Sequence, residues 1–328
     1  MRHAPLLWKA IAATTAWLLG LTLHAQPAPV STLAEVETTR LAIAAGTTAG
    51  ADVAGGSIEF IGTATVLIAY QGLSILTDPN FLHKGEHVYL GYGLRSMRLT
   101  DPALTLSQLP PIDLVILSHL HEDHFDRRVQ RQLNRDKPIV SAREAASQLR
   151  RLGFRRALGL STWDRLEVSK GQARLVVTAM PGRHGAPGVS VLLPTVMGSM
   201  LDFGASAAQP KYRMYISGDT LVFDDIALIP QRFPAIDMAL LHLGGTRLLK
   251  LAKVSMDGKD GVEMLNIIVP ERAIPIHYND YDVFTSPLSE FEAQVQGAGL
   301  EKKIIYLRHG DSYNFGNSAT SPNADSGK

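Results

Sequence analysis

The stretch VILSHLHEDHFD, residues 115–126, sets three histidines and three acidic residues within eight positions, directly behind an apolar run. The whole chain has 11 histidines, so this crowding is not what composition alone would scatter. IDLVILS (112–118) reads as a short strand covered on both faces. The polar cluster therefore begins at a strand's carboxyl end, where ligands collect in α/β sheets. His119 and His121 are two apart, so in extended chain both side chains point to one side. Asp123 and His124 follow as the chain turns, and Asp126 is placed to cap the helix that FDRRVQRQL enters.

Imidazole with carboxylate is a donor set for zinc, iron or manganese. An open catalytic zinc takes three protein ligands, and His119, His121, Asp123 and His124 alone offer four ligand-type side chains. The spacing His-x-His-x-Asp-His would arise by composition in on the order of one chain in a thousand. The bland alternative is a solvated loop that is rich in histidine. The chain has no cysteine, so a metal site must use His and carboxylate ligands, and neither a disulfide nor a cysteine-linked lipid anchor can form.

The remaining composition is that of an ordinary globular protein: 328 residues, 45% hydrophobic and 19% charged. Lys and Arg number 32 against 31 Asp and Glu, which leaves no electrostatic footprint for nucleic acid. Residues 1–25 read as an export signal, with Arg2, His3 and Lys9 ahead of the apolar run AIAATTAWLLGLTL (10–23) and cleavage expected after Ala25. That run is short for a bilayer span. The mature protein is then periplasmic or secreted with no stable membrane span; the alternative is an uncleaved N-terminal anchor. Residues 26–56 read as a linker with a short helix within 32–45, and residues 316–328 as a disordered tail.

Between these ends strands and helices interleave. Strands are expected at 57–79, 112–118, 173–180, 188–194, 212–218, 238–243, 272–278 and 302–310, and helices at DRRVQRQLN, AREAASQLRRLG and DGVEMLNIIVP. The pattern predicts a layered α/β domain over 57–315 with helices outside sheets.

SHLHEDHFD resembles the His-x-His-x-Asp-His signature of the metallo-β-lactamase superfamily. GTATVLIAYQGLSILTDP is similar to that family's opening hairpins, MPGRHGAPG to the segment of its next histidine, YISGDT to the strand end of its bridging aspartate, and AIPIHYN to its last histidine. The order and spacing resemble most the branch of ascorbate-phosphate lactonases and N-acyl-phosphatidylethanolamine phospholipases D. The resemblance implies an αββα sandwich with the site at one edge between two mixed sheets. It implies two divalent metal ions, most readily Zn2+ with Mn2+ or Fe as alternatives. His119, His121 and His184 would hold one, Asp123, His124 and His277 the other, and Asp219 would bridge them. It implies a binuclear hydrolase that turns a hydroxide shared by the metals on an ester, lactone or phosphodiester bond of a small-molecule or lipid-like substrate.

Around this set, Asp123 is expected to steer the hydroxide and take its proton. His242, at the end of a strand, is expected either to join it in catalysis or to be a buried structural histidine. Asp78 in LTDP is the carboxylate expected to accept the free N–H of a metal-bound histidine, unless it only caps the turn before Pro79. Arg183, Tyr278, Asn279 and Tyr281 are candidates for orienting substrate, the alternative being loop decoration. His83, His87 and His309 read as surface or packing residues. One departure from the phospholipase-like pattern is that Ser255, Met256 and Asp257 stand where a histidine would be expected. The insert 188–212 reads equally as a flap over the pocket or as an extension of the sheet. Two other readings stay open: a mononuclear iron oxidoreductase of the same fold, and a non-catalytic metal-binding protein.

Overall fold

The computed structural model describes residues 36–45, 55–91, 93–204, 209–248 and 251–316; the expected signal, most of the linker and all but the first residue of the tail lie outside them. Two seven-stranded mixed sheets face each other. The first runs in the order Ser312–Phe315, Gly56–Gly62, Thr65–Tyr70, Leu73–Thr77, Leu114–Ile116, Ile139–Ala142, Ala157–Leu160. The second runs Thr38–Ile43, Arg165–Lys170, Ala173–Met180, Gly198–Phe203, Tyr212–Ile216, Met238–His242, Arg272–Ile276.

Period-two alternation explains the layering. From the first sheet Ile58, Phe60, Val66, Ile68, Ile75 and Leu114 point inward and meet Val177, Leu201, Met214, Leu240 and Ile274 of the second. The opposite faces are covered by helices. Leu76, Val115 and Ile139 pack against Val129 of Arg127–Gln132 and Leu149 of Arg143–Arg151. Tyr215, Ala239 and Leu241 pack against Met264, Leu265, Phe291 and Val295 of Gly258–Ile268 and Leu288–Ala298. Each fully buried aliphatic side chain contributes about 1.5–3 kcal/mol, so these apolar layers, rather than the polar edge, hold the αββα fold together.

Strand direction then places the site. Leu73–Thr77, Leu114–Ile116 and Ile139–Ala142 are parallel neighbours, as are Tyr212–Ile216, Met238–His242 and Arg272–Ile276. Ala173–Met180 is antiparallel to Gly198–Phe203, which is antiparallel to Tyr212–Ile216, so it runs with that set. Within each sheet the carboxyl ends of these strands share one edge, and the candidate residues follow those ends.

Three expectations are corrected. Residues 38–43 form no helix: Thr38, Thr39 and Ile43 are β-branched, Leu41 is buried in the sandwich, and the strand pairs in parallel with Arg165–Lys170 at the sheet's edge. Residues 188–194 form no strand but a 3-10 turn at Ser190–Leu192, enclosed by Gly188 and Pro194. Residues 302–310 make a 3-10 turn and a single bridge, Ala273 to Ile304, in place of a strand. The later part of the 188–212 insert extends the second sheet through Gly198–Phe203, which pairs with Tyr212–Ile216.

Candidate metal centre

The strand Leu114–Ile116 delivers Ser118 and His119 into a turn closed by His121, whose carbonyl accepts hydrogen bonds from the backbone N–H groups of His124 (3.1 Å) and Phe125 (2.8 Å). Asp126 ends the turn and caps Arg127–Gln132, its carboxylate accepting from the N–H groups of Arg128 and Val129. The cap fixes where the helix starts, and so holds His119 to His124 against the end of the sheet. His184 arrives on the loop after Ala173–Met180, Asp219 after Tyr212–Ile216, and His277 directly after Arg272–Ile276. His277 takes a left-handed backbone (φ 61°) and its N–H donates to the Thr63 carbonyl at 2.6 Å.

Three groups result. His119, His121 and His184 form the first; Asp123, His124, Asp219 and His277 form the second; Asp78, His124 and His242 form a third that shares His124 with the second; within each group the candidate ligand atoms lie within 4.8 Å of one another. The first two adjoin, with the rings of His119 and His124 4.1 Å apart. His121, Asp123, His184 and Asp219 all open onto one cavity of about 20 Å³.

Three histidines are held by one ring nitrogen and leave the other for the cluster. His184 Nδ1 sits 2.7 Å from the Val254 carbonyl, His277 Nδ1 3.1 Å from the Leu243 carbonyl, and His124 Nδ1 3.4 Å from Asp78 Oδ2. An acceptor on the outer nitrogen fixes tautomer and ring orientation, which is how proteins present imidazole to metals. Asp78 Oδ1 also accepts from the Ser118 N–H at 2.7 Å, tying this support to the signature turn.

The electrostatics differ between the groups. Burial, reinforced by the neighbouring imidazoles, holds His119 well below the ordinary histidine range and brings His121 to about 4; burial also lowers His184. All three are neutral at pH 7, the state that binds a cation. Burial opposes charge on His124 and His277 too, but Asp219 and Asp123 outweigh it and raise both. This second group therefore demands positive charge. Asp123 Oδ1, His124 Nε2, Asp219 Oδ1 and His277 Nε2 are buried and make no hydrogen bond. Their side chains face one another across 3.4–3.8 Å without hydrogen-bonding, and a divalent cation would satisfy them together. The donors, imidazole and carboxylate only, suit zinc, manganese or iron.

A family model described as beta-lactamase superfamily domain matches residues 74–278, the span from the Asp78 strand to His277 and its neighbour. The chain belongs to that superfamily. Within the superfamily it is 26% identical over 228 residues to a UPF0173 metal-dependent hydrolase of Archaeoglobus fulgidus, covering 66% of this chain and 91% of that one. Its fold matches a possible metal-dependent hydrolase from Veillonella parvula (TM-score 0.68, 18% identity, 80% of this chain and all of the other). It also matches an isothiocyanate hydrolase from Delia radicum gut bacteria (TM-score 0.67, 22% identity, 79% and 99%).

The other candidates lie elsewhere. His242 is fully buried behind the groups, its Nε2 3.2 Å from Asp78 Oδ2 and its Nδ1 3.3 Å from Ser217 Oγ. It does not line the cavity, and its partners are those of the buried histidine that stood as the alternative to a catalytic role. None of the four substrate candidates lines the cavity over the metal groups. Arg183 lies over the Phe223 ring, Tyr278 donates to the Leu307 carbonyl inside the sandwich, Asn279 accepts from the Leu288 N–H, and Tyr281 donates to Asn80. Left-handed turns at His277 and Asn279 send the tyrosines into the core. At the departure from the phospholipase-like pattern, Ser255 accepts from the Thr246 N–H and Asp257 caps Gly258–Ile268.

Sequence reading missed the carbonyls of Val254 and Leu243, which no side-chain pattern can announce. It also missed Ser118, whose hydroxyl lies 3.1 Å from His119 Nδ1.

Proposed function

We propose that the protein is a binuclear metal-dependent hydrolase acting on an ester, lactone or phosphodiester bond. The observation that carries this reading is the pair of adjoining ligand groups that open onto one cavity, the second with four buried ligand atoms that make no hydrogen bond. His119, His121 and His184 would hold one cation and Asp123, His124 and His277 the other. Asp219 would join them: it belongs to the second group, and its charge also bears on His119, His121 and His184. When bound, the cations lower the pKa of a water to near neutrality and stabilise the negative charge that develops on the substrate.

The chain's own residues do the rest. Asp123 turns Oδ2 towards His277 Nε2 (3.5 Å) and His124 Nε2 (3.8 Å), which leaves Oδ1 free to take a proton from water. For an ester, the water oxygen bonds the acyl carbon, the acyl C–O bond breaks with its electron pair, and the proton passes from Asp123 to the leaving oxygen. Acid and alcohol result. No serine or cysteine nucleophile is required. The relatives' names as metal-dependent hydrolases support the same class. The signal-like residues 1–25 support action outside the cytoplasm; no helix of the described residues is long and apolar enough to cross a membrane.

Metal analysis followed by a panel of chromogenic esters, lactones, phosphodiesters and cephalosporins tests the reading. About two zinc ions per chain with turnover on at least one substrate is expected. One iron per chain without hydrolysis would point to oxidative chemistry, and a fully loaded protein inert on every substrate would leave a metal-binding role only.

A further inference from the structure

Among the described residues Arg98 is the largest side chain that the fold buries completely. It follows the short strand Arg95–Met97 and forms no ion pair among the described residues. Its hydrogen bonds go to neutral acceptors. Nε donates to the Thr100 carbonyl at 3.0 Å, Nη1 donates to the Asn80 carbonyl at 3.1 Å and to Asn80 Oδ1, and Nη2 makes no hydrogen bond. A cation buried without a carboxylate partner is costly, and an apolar side chain of similar size would fill the space at less cost. What an apolar side chain lacks is a rigid planar fork that donates in fixed directions.

Those directions lead to the two sides of the metal centre. Asn80 is itself fully buried, and its Nδ2 donates to the Glu122 carbonyl at 2.9 Å, on the turn between His121 and Asp123. Thr100 donates from Oγ1 to Asp280, whose other carboxylate oxygen accepts from the Thr63 N–H at 3.0 Å; the Thr63 carbonyl in turn holds the His277 N–H. Thr63 needs that support. It is β-branched and takes φ 54°, a conformation that persists only where the surroundings impose it. Tyr281 links the two sides: its OH donates to Asn80 Oδ1 at 2.9 Å, its ring centre lies 5.7 Å from the guanidinium carbon, and its backbone bridges to that of Arg98.

We infer that Arg98 is a positioning residue of the metal centre: its guanidinium holds the turn of His119 to His124 and the turn of His277 at one spacing, and so sets the geometry that a pair of cations meets. Arg98 does not line the cavity and acts only through Asn80 and Thr100. The inference goes beyond the hydrolase reading and needs no turnover to test. Lysine at 98 would keep the charge but lose the fork.

Cobalt(II) titrated into the metal-free full chain tests this, because its visible absorption reads coordination geometry without any substrate. Arg98→Lys should change the shape of the spectrum at saturation and weaken cobalt binding about tenfold. Asp202→Ala weakens the fold away from the site and should keep the parent's spectrum and affinity wherever it is folded; an equal change there would assign the effect to stability and overturn the inference. If circular dichroism shows that Arg98→Lys does not fold, Asn80→Ala, which cuts the route to Glu122, decides in its place with the same changes expected. The parent's spectrum and affinity in the deciding variant overturn the inference and leave the hydrolase reading intact. A parent that binds no cobalt overturns both. The expected cobalt changes in a protein inert on every ester, lactone and phosphodiester keep the role of Arg98 and count against hydrolysis.

Discussion

Asp78 Oδ2 lies 3.4 Å from His124 Nδ1, with neither side chain more than 2% exposed. Burial alone would raise the Asp78 carboxyl, but the charge and hydrogen bonds of His124 and His242 bring it down to about 2. An ionised carboxylate behind His124 makes Nε2 a better donor and fixes its aim. Asp78→Asn keeps the shape and removes the charge. It should lower zinc affinity about 10–100-fold, read by competition with a chromogenic chelator. Unchanged affinity would show that the His124 orientation owes nothing to Asp78.

Gly244 has φ +101°, and a Cβ there would meet the His277 carbonyl at 2.8 Å. Both the dihedral and the contact exclude a side chain, and the atom displaced belongs to a proposed ligand's own backbone. Gly244→Ala should destabilise by about 1–3 kcal/mol and also reduce metal stoichiometry. Thermal unfolding and metal analysis on the same sample check this; loss of stability with full metal content would separate the turn from the site.

Away from the site, Arg213 Nε donates to Asp202 Oδ1 at 2.6 Å with the two side chains 8% and 0% exposed. Removing the Asp202 carboxylate takes one charged partner from a guanidinium that also donates to the Pro234 carbonyl, at a cost of about 1.5–3 kcal/mol. Asp202→Ala should show that loss in urea unfolding. Asp202→Leu combined with Arg213→Met should recover part of it, because an apolar pair leaves no charge behind.

His309 supports the site's scaffold through Asp280. His309 Nε2 is 3.1 Å from Asp280, and the other Asp280 oxygen accepts from the Thr63 N–H, whose carbonyl holds His277. Burial pulls His309 down, but the hydrogen bond and charge of Asp280 outweigh it and raise the imidazole; Asp280, although buried, is lowered by His309, Thr100 and Arg98. A raised histidine stabilises the fold below its unfolded pKa of about 6.5 and loses that as pH rises through the folded value. A lowered aspartate stabilises above its unfolded pKa of about 3.9 and loses that in acid. The pair should therefore contribute most between these limits. The stability gap between parent and His309→Asn should be larger at pH 5 than at pH 9, measured by urea midpoints; a constant gap would assign His309 to packing against Phe60 alone.

How legible the molecule was in its sequence follows from range. The turn 119–126 is local, so spacing, strand-end position and the Asp126 cap could be read directly. His184, Asp219 and His277 reach the same place only through strand direction across the second sheet, and they were found through family resemblance. Tyr278 and Tyr281 look like site residues because they follow a candidate ligand, but positive φ at His277 and Asn279 redirects them. The rest of the cavity lining, Leu94, Leu193 and Leu248 among it, was invisible because these look like any core leucine. The strand Thr38–Ile43 was missed because its partner, Arg165–Lys170, lies far along the chain.

The most direct test is a crystal structure of the zinc-loaded protein with anomalous data at the zinc edge. Two peaks are predicted, one among His119, His121 and His184 and one among Asp123, His124 and His277, with Asp219 contacting both. A single peak among Asp78, His124 and His242, or no peak in a fully loaded sample, would contradict the binuclear centre.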